Sequence, residues 1–216
     1  MLPNLQMRST EVLPPEPRWP AILGLLATSG LYVILPERLT AGPNWLLPGI
    51  AMAFLAASIV SHRSGRSSLN FVFGVGVSAV LTASLVWALA MLIAGLPGKL
   101  ETPTELLRSA VALWVSNILV FASWYWRLDA GGPHERESRP SHEEGAFLFP
   151  QMTLKNQRVW RPGFVDYLFL AFNTSTAFSP TDVPVLAGWA KLLMMVQSSI
   201  SLGTLAILAA RAINIL

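Results

Sequence analysis

SSLNFVFGVGVSAVLTASLVWALAMLIAGLPG, residues 67–98, is a run of 32 residues without one Asp, Glu, Lys or Arg. A helix needs about 20 mostly apolar residues to cross the roughly 30 Å hydrocarbon core of a bilayer. This run exceeds one straight span, and Ser67, Ser68 and the Gly95–Gly98 turn trim it to about Leu69–Ala94. Five further charge-free windows follow the same pattern: Trp19–Pro36, Leu39–His62, Ser109–Trp126, Tyr167–Thr181 and Leu192–Ala210, of 18, 24, 18, 15 and 19 residues. The 15-residue window covers only about 22 Å as a helix, and reaches spanning length when Phe164, Val165 and Asp166 join it.

The composition agrees. The chain has 216 residues, 53% hydrophobic and 12% charged, against about 25% charged residues in an average soluble domain. Disordered chains are poor in hydrophobics, and the 15 Gly and 16 Pro show no period, so disordered and fibrous classes are excluded. The expected fold class is all-α: a polytopic transmembrane helix bundle of about six spans. Its divisions are an N-terminal tail (1–18), a four-span bundle (19–126), a cytoplasmic loop (127–163) and a two-span C-terminal hairpin (164–216). The first apolar run follows 18 mostly polar, Pro-rich residues and precedes no small-residue cleavage site, so Trp19–Leu35 reads as a retained span rather than a signal peptide.

Lys and Arg are retained on the cytoplasmic side, and six spans with an inside N-terminus put eleven of them inside. The four outside are Arg38, Lys99, Arg108 and Lys191. Both termini are therefore expected in the cytoplasm. Trp19, Trp45, Trp124, Trp126, Trp160 and Trp189 fall at expected span ends, as an aromatic belt requires.

Residues 127–163 form the one long loop, with six basic and five acidic side chains. His134, Glu135, Glu137, His142, Glu143 and Glu144 lack the spacing that sets two imidazoles on one helix face, and a solvated loop is the favoured reading. Residues 146–150 (AFLFP) are too short to cross and suit a place in the cytoplasmic interface. The chain has no Cys, and no phosphate-binding glycine loop, nucleophile elbow or zincin motif is present. No enzymatic activity, cofactor, metal or nucleic-acid partner is expected.

Polar side chains inside apolar spans need partners, because unpaired polar groups are costly in lipid. Asn117, Asn173 and Gln197 fall at similar mid-span depth, with Thr82 and Ser84 beside them. Residues 173–176 (NTST) are four polar residues in the shortest window, and at 100° per residue they cover most of a helix circumference. Asn117, Asn173, Thr174, Thr176 and Gln197 are thus candidates either for interhelical hydrogen bonds or for the polar lining of a permeation path. Pro180 ends the fifth segment, leaving Ser179, Thr181 and Asp182 at an outer mouth, where Lys191 offsets Asp182. No charge sits at mid-depth, which argues against proton-coupled or active transport.

The segment TAFSPTD (176–182) with Pro184 resembles in outline the pore hairpin of potassium channels, where a short helix leads to a filter and then an inner helix. Ala177, Ser179 and Pro180 stand where that filter needs glycines, so the resemblance implies a pore-like hairpin and not potassium selectivity. A re-entrant hairpin entering from outside would also place residues 127–163 outside, against the charge distribution. Separately, WYWRLDAGGP (124–133), FLFPQ (147–151), DYLF (166–169), FSPTD (178–182), AKLLMM (190–195) and RAINIL (211–216) are similar to a group of uncharacterised bacterial multi-pass integral membrane proteins. That resemblance implies a bacterial inner (plasma) membrane location and assigns no residue a role.

The expected activity is passive permeation of an ion or small solute through the C-terminal hairpin. The alternative is a structural or regulatory membrane protein that binds a cytoplasmic partner through residues 127–163. The lipid bilayer is the expected partner, and self-association into a homo-oligomer stays open.

Overall fold

The computed structural model describes residues 16–64, 66–98, 101–139, 145–154, 160–176 and 182–213. These residues are all-helical, with seven α-helices: α1 Trp19–Val33, α2 Leu46–Arg63, α3 Ser67–Gly95, α4 Pro103–Leu128, α5 Pro133–Ser138, α6 Phe164–Thr176 and α7 Gly188–Ile213. Three stretches, Ser68–Gly95, Pro103–Gly131 and Gly188–Ala210, are long and apolar enough to cross a membrane. Trp19–Val33 and Leu46–Ser61 are apolar but shorter.

Helix α4 is the axis of the bundle and packs against α1, α3, α6 and α7. Its apolar stretch is 67% buried, against 39% for α3 and 28% for α7. Small side chains explain why so many helices can reach it. Ser109, Ala110, Ala112, Ser116, Ala122 and Ser123 are all buried along its length, and small residues let helix backbones approach closely. Its start is set by a capping box: the Thr102 hydroxyl accepts from the Glu105 amide (3.3 Å) and the Glu105 carboxylate accepts from the Thr102 amide (2.9 Å). Helix α2 lies outside, against α3 and α1.

Ion pairs fix the sense of α1 against α4. Arg18, before α1, pairs with Glu137 beyond the end of α4 (3.1 Å), and Arg38, after α1, pairs with Glu101 ahead of α4 (3.1 Å). The two helices are antiparallel, and α1 begins at the end of the bundle where α4 finishes. That shared end also carries α5 and the segment 145–154.

The C-terminal part differs from the expected alternation of spans. Helix α6 has 13 residues, about 20 Å at 1.5 Å per residue. It starts beside the end of α4, where the Phe164 and Trp126 rings meet at 6.0 Å. By Val185 the chain is back at that same end, paired antiparallel with Phe147. The Leu148 amide donates to the Pro184 carbonyl (2.9 Å) and the Leu186 amide to the Ala146 carbonyl (2.8 Å). Helix α7 then runs parallel to α6: the Gln197 side chain reaches the Ala171 carbonyl and the Ser201 hydroxyl reaches the Ser175 carbonyl. Residues 164–176 therefore enter the bundle, and residues 182–187 are back at the end where α6 begins. The sequence reading had put residues 127–163 and Asp182 on opposite faces, because a charge-free window reports depth and not direction.

Described parts of the loop after α4 pack against the bundle rather than standing in solvent. Gly132, at φ +93°, takes a conformation that L side chains rarely adopt, and a Cβ there would lie 2.7 Å from the Arg127 carbonyl. The turn leads into α5, and residues 145–150 lie over the bundle end, where Phe147 and Phe149 are buried. Phe147 meets Tyr125, Tyr167 and Trp189 at ring distances of 5.3, 6.1 and 6.1 Å.

Candidate functional site

The mid-bundle polar groups form one node. Asn117 of α4, Ser175 of α6 and Gln197 of α7 are fully buried. The Gln197 amide nitrogen donates to the Ala171 carbonyl (2.7 Å) and the Ser175 hydroxyl (2.7 Å), and its oxygen accepts from the Tyr125 hydroxyl (2.5 Å). The Asn117 amide donates to the Gln197 backbone carbonyl (3.1 Å) and to Ser175 Oγ (3.4 Å). Asn117 Oδ1 is left without a partner among the described residues.

This node solves a problem that the short helix creates. The last four carbonyls of any helix have no partner within it, and α6 ends in the bundle interior. The Ser175 carbonyl accepts from the Ser201 hydroxyl and the Asn173 carbonyl from the Thr176 hydroxyl (3.1 Å). Two of the end carbonyls are thus satisfied by side-chain hydroxyls. Asn117 and Gln197 meet, as their equal depth predicts. The α6 residue that joins them is Ser175, while Asn173 is half-buried, because two residues along a helix is about 200° around it. Thr174 and Thr176 are half-buried too, and the Thr174 hydroxyl donates to its own helix at the Leu170 carbonyl (2.8 Å). Higher in the bundle, Thr82 accepts from the Trp124 indole (2.9 Å), and Ser84 donates to the Val80 carbonyl (2.9 Å). Ser179 and Thr181 lie outside the described residues. Asp182 and Lys191 are exposed at the shared bundle end, and among the described residues no ion pair joins them.

Replacing Gln197 with leucine leaves the Tyr125 hydroxyl and Ser175 short of partners. The expected cost is about 1–3 kcal/mol, the penalty for stranding a buried polar group, read as a lower unfolding midpoint in detergent. Gln197→Glu, with a similar shape, keeps the acceptor for Tyr125 and separates shape from hydrogen bonding.

A second cluster, absent from the sequence reading, lies at the shared bundle end. Arg136 is 1% exposed. It pairs with Glu16 (3.0 Å), donates to the carbonyls of Trp126 (2.8 Å) and Asp129 (2.9 Å), and stacks 5.3 Å from the Tyr167 ring. Asp129, also fully buried, accepts from the Tyr167 hydroxyl (2.6 Å) and from the Ala146 amide. Glu16 further accepts from the Trp126 indole. Four chain segments are thereby tied together: the start of α1, the end of α4, the 145–149 segment and the start of α6. The visible signal was an aromatic run, residues 146–150, inside a charged loop. Its partners are far away in the chain, and spacing does not reveal them.

Neither cluster pairs a nucleophile with a base. Among the described residues no group of three His, Asp or Glu is placed to hold a metal ion; His142, Glu143 and Glu144 lie outside the described residues. Both clusters join helices. Comparison with protein-family models, with characterised proteins and with solved structures finds no match for this chain.

Proposed function

We propose that the chain is an integral membrane protein in which α1 to α4 and α7 cross the bilayer and α6 enters only part-way, and that this hairpin provides a passive path for an ion or small solute. The observation that carries the reading is the parallel course of α6 and α7, with α6 ending in the bundle interior. Non-helical backbone at membrane depth is tolerated only where protein or water covers it. The half-buried Asn173, Thr174 and Thr176 sit where the helix ends, and the negative end of its dipole points inward. Both features suit a hydrated path better than a lipid-facing span.

The charge distribution needs no reversal. With five crossings, Lys191 joins the cytoplasmic set and Arg211 leaves it, so the basic residues still divide eleven to four. The loop end is then cytoplasmic, the hairpin enters from that side, and the C-terminus lies outside. The scaffold alternative is less favoured, because Phe147, Phe149 and Arg136 are already engaged within the bundle.

Ala146→Cys combined with Leu186→Cys tests the hairpin in a chain that has no other cysteine. The two residues face each other in the antiparallel pair, and mild oxidation in membranes is expected to join them nearly completely. Alternating spans would hold them about 30 Å apart and leave both thiols free. In liposomes the wild-type protein is expected to pass monovalent ions or small neutral solutes. Asn173→Leu should slow that flux about tenfold, equivalent to about 1.4 kcal/mol of barrier. Flux no greater than that of empty liposomes rejects the permeation reading.

A further inference from the structure

We infer that the groove beside Arg127 binds the phosphodiester of a membrane phospholipid. The groove has a volume of about 330 Å³ and lies between α3 and α5, with Phe71, Val72, Arg127, His134 and Glu135 among its walls. The inference rests on α3 and α4 crossing a bilayer, and not on the permeation path.

Arg127 is 8% exposed. Its guanidinium lies flat on α3 at Gly74, where a Cβ would come within 1.8 Å of it, and sits 5.5 Å from the Trp126 ring. Among the described residues it makes one hydrogen bond, to the Asn70 carbonyl (3.3 Å). Among the described residues its charge has no carboxylate within ion-pair distance: the pairs formed are Arg18–Glu137, Arg38–Glu101 and Arg136–Glu16. Arg136, nine residues later and 1% exposed, has the carboxylate partner that Arg127 lacks. A buried cation left without an anion is strongly unfavourable, and a guanidinium fork matches phosphate geometry.

The surroundings specify a lipid. Arg127 follows Trp124 and Trp126 at the end of the apolar stretch of α4, the depth at which aromatic belts meet headgroups. Of the groove's walls, Phe71 and Val72 are 37% and 60% exposed and offer an apolar surface to acyl chains. His134 and Glu135 are exposed and stand at the mouth, where they meet the headgroup beyond the phosphate.

Inorganic phosphate shares the anion chemistry, so the test separates the two sources. The full chain, purified in a phosphate-free detergent, is unfolded thermally with added dioleoylphosphatidylglycerol, dioleoylglycerol or sodium phosphate. Phosphatidylglycerol is expected to raise the midpoint saturably by about 2–4 °C or more, and the other two to leave it unchanged. Arg127→Gln and Gly74→Ala should abolish the rise; the latter keeps the charge and only displaces a flexible side chain, so it remains informative if Arg127→Gln does not fold. Arg38→Gln, at the opposite end of the bundle, should retain it. A rise produced equally by dioleoylglycerol or by phosphate alone, or one that survives both groove variants, overturns the proposal. Release of the protein from membranes by carbonate washing identifies failure of the membrane reading itself.

Discussion

Replacing Arg136 with methionine is expected to cost about 3–5 kcal/mol, the range for removing one partner of a buried ion pair. In a chain of this size that lowers the unfolding midpoint by roughly 6–20 °C. The side chain is 1% exposed and joins Glu16, Trp126, Asp129 and Tyr167. Its loss leaves the Glu16 carboxylate, 6% exposed in the pair, buried with no cation. Two backbone carbonyls lose a donor at the same time. The sign of the effect has an internal check. Adding Glu16→Gln removes the stranded charge, so the double variant should recover part of the loss, whereas two independent defects would add. A loss below about 1 kcal/mol, the level of an exposed pair, would show that water reaches this cluster.

Phe147→Ala carries the other large effect, about 3–5 kcal/mol for truncating a fully buried phenylalanine. The ring is 0% exposed and touches Tyr125, Phe149, Tyr167 and Trp189. It also sits where the loop pairs with the returning chain at Val185. The truncation should therefore loosen the hairpin as well as the core. The readout for that is slower disulfide formation between cysteines at positions 146 and 186. Leu154→Ala, at a side chain 54% exposed, should change the midpoint little. If Phe147→Ala leaves both stability and cross-linking intact, the 145–149 segment is not held where the structure places it.

These two residues mark the limit of what periodicity and charge could show. The apolar stretches of α3, α4 and α7 follow directly from charge-free windows, since the length and composition of a crossing helix are set by the bilayer. The windows overran helix α2, which starts at Leu46, because Leu39–Asn44 are uncharged yet include Gly42 at φ +105° in the turn before it. Counting from span ends sets Asn117 and Gln197 at similar positions, and the two residues do meet. Azimuth was not legible, so Asn173 stood in for Ser175. The cluster around Arg136 was hidden because Glu16 and Arg136 are 120 residues apart, with nothing local to mark them as partners.

By itself, the order of residues determined that this chain is helical and apolar, and where its long helices lie. Each of those is a property of one segment against hydrocarbon, summed residue by residue. Only the tertiary structure decided that the chain after α6 is back at the end where α6 started, and that residues 145–149 lie over that end. A helix that turns back has the same hydropathy as one that crosses. What distinguishes them is which distant groups satisfy its terminal carbonyls and which segment its return pairs with, and both are contacts between segments.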